Sequence, residues 1–376
     1  MAPKSPREAA QKTKNIRDAV EKELKFDPLV DASGITVKNL GGDVALNGTV
    51  PSYPQYQEAA AAAKRVKGVR CLFDLTVRFQ IMDAFGEYRQ VLSLAAPPID
   101  RLGPPEVTPD LARLANDELA GLVAAHPDRF AGAFGGLPLN HPDASLRELD
   151  RLSSHPGFVG VQIYSNVAGR PLDAPRTLEV IEEAVRRRMP IFLHPARGAD
   201  FPDYPAEKES LYDLWQIFGW PYETTIAMAR LVFTGLFDRH PDAVIITHHM
   251  GGLVPHFADR IRGGYDQFGT RGPEHQMETF PIPLAHPPAW YFTRFYADTA
   301  LFGAPHAVRC GLAYFPADRV LFGTDTPFDV EGGTRYIRET IAALDQSGLA
   351  PERRRMVDEG NLRQVLARRQ SARTSP

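Results

Sequence analysis

The stretch AVIITHHMGG, residues 243–252, drives an apolar, β-branched run straight into two histidines and a pair of glycines. So dense a short run reads as a strand buried on both faces, as in a parallel sheet, and the glycines turn the chain at its carboxyl end. Two other stretches are built alike: MPIFLHPARG (189–198) closes on His194, and RVLFGTDTPF (319–328) closes on Asp325. In a parallel barrel all strand carboxyl ends open on one face, so residues distant in sequence converge there around one cavity. Imidazole nitrogens and a carboxylate are what a divalent cation such as zinc takes while keeping a position open for substrate or water. Singly, each residue has a plainer reading: a hydrogen-bonded histidine at the end of a buried strand, or Asp325 capping the turn that follows. The coincidence of three favours a shared site. His126, His141, His155, His240 and His286 all precede proline and read as turn residues without chemistry.

Working outward, short β-prone runs alternate with longer helical ones from residue 78 onward, which predicts βα units around a parallel sheet. The strand candidates are Tyr88 to Leu94, Phe130 to Leu137, Phe158 to Ile163, Pro190 to His194, Val244 to Thr247, Phe295 to Asp298 and Val320 to Thr324. Helices are expected at Pro109 to Ala125, Leu178 to Arg188, Glu223 to Arg239 and Thr334 to Asp345. A closed β/α barrel needs eight strands. The expectation is therefore an α/β fold, a TIM-like barrel with one strand missing or supplied from elsewhere, over residues 78–368, with 369–376 a disordered tail.

Residues 14–77 read as a separate small α+β unit after a disordered start, 1–13. A helix carries Ile16, Val20 and Leu24 at spacing four; two alternating runs, Ile35 to Leu40 and Val44 to Val50, flank Gly41-Gly42-Asp43. Such a glycine pair suits a hairpin turn, whose backbone needs positive φ. An alanine-rich helix, Gln55 to Val66, and an alternating run, Val69 to Val77, complete the order helix, strand, strand, helix, strand. The string DPLVDASGITVKNLGGDVALNGTVPSYPQYQEAAAAAKRVKGV (27–69) resembles a BON domain. The resemblance implies no catalytic residue there, and a binding or tethering role towards a lipid or protein partner; the plainer alternative is a stable appendage.

The 376 residues carry a formal net charge of −3 with pI near 6.4, which leaves no footprint for nucleic acid or an anionic membrane. Cys71 and Cys310, the only two cysteines, give neither a disulfide framework nor a thiolate metal site. The charged start and the lack of a long apolar run lead us to expect a soluble, cytoplasmic protein.

From RFQIMDAFGEYRQVLSLAAPP (78–98) onward the sequence is similar to the amidohydrolase-related family typified by aminocarboxymuconate-semialdehyde decarboxylase. The strings that carry the resemblance are FGWPYETTIAMARLVFTGLFDRHPDAVIITHHMGG (218–252), FYADTALFG (295–303), RVLFGTDTPFD (319–329) and EGNLRQVL (359–366). It implies a distorted barrel holding one divalent metal, zinc by expectation, with His194 and Asp325 as ligands and His249 as catalytic acid/base. It also implies a carboxy-lyase acting on a small unsaturated or aromatic carboxylic acid, or a hydrolase using the same cation, and a homodimer. Arg197 and Arg260 are candidates for binding the substrate carboxylate, against a reading as surface charges; Trp220 is a candidate pocket wall or a core residue. The family opens on a strand bearing H-x-H or E-x-H, two of the metal's ligands, and this chain has no such string, so the resemblance implies that the strand missing from the barrel is the first. One alternative lets Val69 to Val77 fill that position and brings Asp74 to the site. Another makes the chain a catalytically silent fusion that serves as a scaffold.

Overall fold

The computed structural model describes residues 6–40, 43–48, 55, 58–59, 62–63, 65–66, 75–268 and 284–374. The chain divides into two compact units, Met1–Tyr88 and Arg89–Pro376.

In the first unit a helix, α1 (Pro6–Phe26), precedes an antiparallel hairpin of β1 (Ile35–Leu40) and β2 (Asp43–Gly48), in register from Ile35 opposite Gly48 to Leu40 opposite Asp43. The spacing of Ile16, Val20 and Leu24 puts them on one helical stripe. That stripe is buried with Val30, Val37, Ala59, Ala62 and Ala63, which makes a core small enough that alanines fill the second helix's share of it. Arg65 is ringed by acids: it donates to Glu23 at 2.9 Å and Glu58 at 3.0 Å and also binds Asp27. The expected strand from Val69 to Val77 falls mostly on residues outside those described, Asp74 among them. Its end, Leu75 to Val77, instead opens a helix that runs from Leu75 to Asp83. The helix α1 begins at Pro6, inside the segment expected to be disordered.

The second unit contains a parallel sheet of seven strands. They are β3 (Gln90–Leu92), β4 (Phe130–Gly136), β5 (Phe158–Tyr164), β6 (Ile191–His194), β7 (Ile245–Thr247), β8 (Tyr296–Asp298) and β9 (Val320–Leu321), each hydrogen-bonded to the next in chain order. Six fall within the runs read from the sequence, and β5 runs one residue past its expected end at Ile163. Among the described residues no strand joins β9 to β3, so the sheet is a curled, open barrel that lacks one stave. Helices cover its outer face. The helix from Pro175 to Arg186 shows why: Thr177, Val180, Ile181 and Ala184, at helical spacing, are its buried residues. The single helix expected from Glu223 to Arg239 is two, Gly219–Phe233 and Leu236–Arg239, because Gly235 stands between them at φ 70°. His126, His141, His155 and His240 occupy helix caps, as their place before proline suggested, and His141 accepts a hydrogen bond from the Ala144 N–H.

On the inner face, Phe134, Val159, Ile246, Tyr296 and Leu321 pack together with Val91 and Phe192. Leu362, Val365 and Leu366 of the final helix, Asn361–Thr374, join this layer, so that helix is an integral part of the core and not a loose tail. No helix among the described residues is long and apolar enough to cross a membrane.

Candidate active site

Side chains alternate across a strand, so residues two positions beyond Phe192, Ile246 and Tyr296 emerge on the same inner face, one layer nearer the carboxyl ends. Those residues are His194, His248 and Asp298. Register lines them up: Tyr164 pairs with His194, Leu193 with Thr247 and Thr247 with Ala297, which sets Tyr164, His194, His248 and Asp298 in one row across four neighbouring strands. The rings of His194 and His248 stack at 5.0 Å, and those of Tyr164 and His194 meet edge-on at 5.3 Å. Asp325 comes from beyond β9 through a left-handed turn, φ 60°, and brings Oδ1 to 3.3 Å from His248 Nε2.

His249 reaches the same place by a different route. It should point to the opposite face from His248, but both it and Met250 adopt positive φ, 54° and 53°, and the chain turns back over the strand end. Its ring then lies 3.8 Å from that of His248, between Trp220 at 6.4 Å and Phe302 at 5.5 Å. Gly323 beneath the row is required by space, since a β-carbon there would sit 2.8 Å from that of Asp298.

Each histidine uses Nδ1 on the protein. His194 Nδ1–H donates to the Pro195 carbonyl at 2.7 Å, His249 Nδ1–H to the Ala300 carbonyl at 2.7 Å, and His248 Nδ1–H to Asp298 Oδ2. Asp298 Oδ1 accepts from the N–H groups of His249 at 3.0 Å and Ala300 at 3.1 Å. The Nε2 atoms of His194 and His249 are left for the cavity, and that of His248 meets Asp325 Oδ1 at 3.3 Å. Burial and the neighbouring His248 push the His194 imidazole down to about 3, and the same two causes lower His249. Burial also opposes charge on His248, yet the carboxylates of Asp298 and Asp325 outweigh it and push that imidazole up to about 10. Asp298 and Asp325 in turn stay below the ordinary carboxylate value despite burial, held there by His248.

His248, His249 and Asp325 each offer a ligand atom, all within 4.8 Å of one another. Neutral imidazole nitrogen with carboxylate oxygen and no thiolate is a donor set suited to a divalent cation. A cation would compete with the His248 proton for one nitrogen. His249 and Asp325 belong to this group, and His194 lies beside it, its ring 5.0 Å from that of His248 and 6.4 Å from that of His249. Trp220 meets the His194 ring at 5.4 Å, and its indole N–H donates to the Arg197 carbonyl at 3.1 Å. The Arg197 guanidinium lies over Phe201 at 4.1 Å, with Glu223 at 3.7 Å and Asp203 at 3.8 Å. Arg260 is exposed on the helix Ala258–Tyr265 and, among the described residues, touches none of the clustered side chains.

His248, one of the two histidines read as potential ligands at the end of the decisive stretch, was given no role of its own, because an all-apolar run does not reveal which parity faces inward. One member was missed in the sequence. Asp298 ends an expected strand just as His194 does, and that shared placement was the available signal.

A family model described as amidohydrolase matches residues 72–368, and one described as BON domain matches residues 12–71. The gamma-resorcylate decarboxylase of Rhodococcus jostii (strain RHA1) is 33% identical over 269 residues, covering 67% of this chain and 77% of that protein. The 2-amino-3-carboxymuconate-6-semialdehyde decarboxylase of Dictyostelium discoideum is 31% identical over 256 residues, covering 68% and 67%. A dihydroxybenzoic acid decarboxylase from Polaromonas sp. JS666, solved with bound manganese and the inhibitor 2-nitroresorcinol, superimposes with a TM-score of 0.67 at 26% identity, over 83% of this chain and 90% of that one. A 5-carboxyvanillate decarboxylase from Novosphingobium aromaticivorans DSM 12444, complexed with manganese and 4-hydroxy-3-methoxy-5-nitrobenzoic acid, gives 0.68 at 25% identity, over 84% of each chain. The expectation of zinc is corrected by these structures: their metal is manganese, which nitrogen and carboxylate donors also suit and which the sequence motifs do not distinguish from zinc.

Proposed function

The chain belongs to the amidohydrolase family, with a BON domain ahead of the family region, and from that membership we propose that it is a manganese-dependent decarboxylase of small hydroxylated aromatic acids. The observation that carries the reading is the convergence of His194, His249 and Asp325 on one inner rim, in a chain whose relatives named above are decarboxylases. His194 and Asp325 would hold the cation through Nε2 and a carboxylate oxygen. When bound, the cation supplies positive charge that binds and polarises the substrate oxygens.

This chain's own residues do the rest. The Trp220 and Phe302 rings, 6.4 Å and 5.5 Å from that of His249, offer a flat aromatic acid apolar surface beside it. When the carbon–carbon bond to the carboxylate breaks, carbon dioxide leaves and the ring carbon takes a proton in its place. His249 Nε2, bare because Nδ1 holds the ring's proton and burial disfavours a second, takes a proton from a substrate hydroxyl and hands it to the ring carbon as carbon dioxide departs. Arg260, exposed, is the candidate partner of a substrate carboxylate, whereas Arg197 is already shared between Asp203 and Glu223 and steadies the Trp220 wall.

The test is carbon dioxide release from 2,6-dihydroxybenzoate and a panel of ring-substituted benzoates, with the full chain stripped of metal and then given MnCl2. Turnover that appears only with manganese supports the reading; no turnover of any acid under either condition overturns it. A second reading, a silent barrel serving as scaffold behind the BON unit, draws on the open sheet and on the lack of an H-x-H pair. It predicts neither turnover nor tight manganese binding.

A further inference from the structure

We propose that His248, backed by Asp298, is itself a ligand of the cation and supplies a donor that the missing strand does not; the inference rests on the metal-dependent reading above. Without an H-x-H pair in the sequence, His194 and Asp325 are a two-donor set, too few for tight binding, because affinity grows with each preorganised ligand. His248 stacks on the His194 ring at 5.0 Å and meets Asp325 at 3.3 Å, and three observations make it a donor.

The first is the accounting of ring nitrogens. His248 Nδ1 is spent on Asp298, which leaves Nε2 on the side of Asp325, where an arriving cation takes the place of the Nε2 proton; a carboxylate behind an imidazole is the usual support of a metal-bound histidine. The second is rigidity. Asp298 is itself clamped by the N–H groups of His249 at 3.0 Å and Ala300 at 3.1 Å, so His248 has one orientation. The third is spacing. His248 Nε2 and Asp325 Oδ1 lie 3.3 Å apart. Two donors on adjacent vertices of an octahedron with arms of about 2.1 Å are about 3 Å apart, so one ion accommodates both with little movement. The ligand set becomes His194, His248 and Asp325, and His249 keeps its Nε2 for the proton.

The experiment uses the full chain, stripped with a chelator and titrated with MnCl2 while electron paramagnetic resonance follows the free ion. Pulsed resonance then counts the imidazole nitrogens bound to manganese. The wild type should take one ion per chain and show two imidazoles. His248→Gln should weaken binding at least about tenfold and lose one imidazole; Asp298→Asn should weaken it by about 10–100-fold and keep both. Wild-type affinity and an unchanged nitrogen count in His248→Gln overturn the assignment and leave the decarboxylase reading intact. A wild type that binds no manganese overturns both. If circular dichroism shows His248→Gln unfolded, the wild-type count decides alone, and a single imidazole overturns the proposal.

Discussion

At the scale of single residues, the account separates holding the cation from moving the proton. His249→Asn should lower kcat by about 10²–10⁴-fold, the usual range for a lost acid/base group, with manganese affinity as in the wild type. His194→Ala should lose both. Steady-state kinetics beside a manganese titration reads the difference, and an active His249→Asn enzyme would contradict the assignment. A pH prediction belongs to Asp100, buried where its Oδ2 accepts the Ala168 N–H at 2.9 Å; burial raises its pKa. A carboxyl whose folded pKa is raised contributes most below its unfolded value of about 3.9, and that contribution is lost as pH rises through the folded one. Asp100→Asn should therefore flatten the fall in urea midpoint expected of the wild type as pH rises above the unfolded value. Equal slopes in the two proteins would refute it. Of the site residues, those that close a strand onto a turn were legible in sequence. His248 and the back-turned His249 were not separable, because the positive φ that brings both rings to one cavity leaves no mark in the residue types.

At the scale of elements, strands were the easiest part to read. Each of the seven is short, apolar and set between helices, and the physical demand that a parallel sheet be buried on both faces writes itself into the sequence as a continuous apolar run. Interruptions were harder. The helix expected from Glu223 to Arg239 hides a break at Gly235, since glycine inside an amphipathic pattern is equally compatible with a continuous helix. The φ of 70° there gives a test: Gly235→Ala should cost about 1–2 kcal/mol of stability from the left-handed backbone alone. Denaturant unfolding measures it, and an unchanged midpoint would mean that the break relaxes freely. In the first unit Leu24, 2% exposed, anchors the α1 stripe. Leu24→Ala should cost that unit about 2–5 kcal/mol, seen as an earlier unfolding phase of the first unit.

At the scale of the whole molecule, the chain joins a BON unit to an amidohydrolase barrel that, among the described residues, lacks a stave, and the fold tolerates the gap in two ways. The edge strand β9 is only two residues long, and the chain just past it is covered, the Phe322 N–H donating to the Val357 carbonyl at 3.0 Å. Leu362, Val365 and Leu366 of the last helix pack against the inner layer of the open sheet, with Tyr296 and Leu321 among their neighbours. The sequence announced the missing strand by the lack of an H-x-H pair, but not the packing that compensates for it, which depends on a helix distant in sequence. Manganese should stabilise the native chain by about 2.7 kcal/mol at a hundredfold excess over Kd, seen as a rise in Tm that a chelator reverses. The most direct measurement of all is anomalous X-ray scattering from crystals of the full chain grown with MnCl2. The account predicts one manganese peak at the carboxyl end of the sheet, among His194, His248 and Asp325; a peak elsewhere, or none, would contradict it.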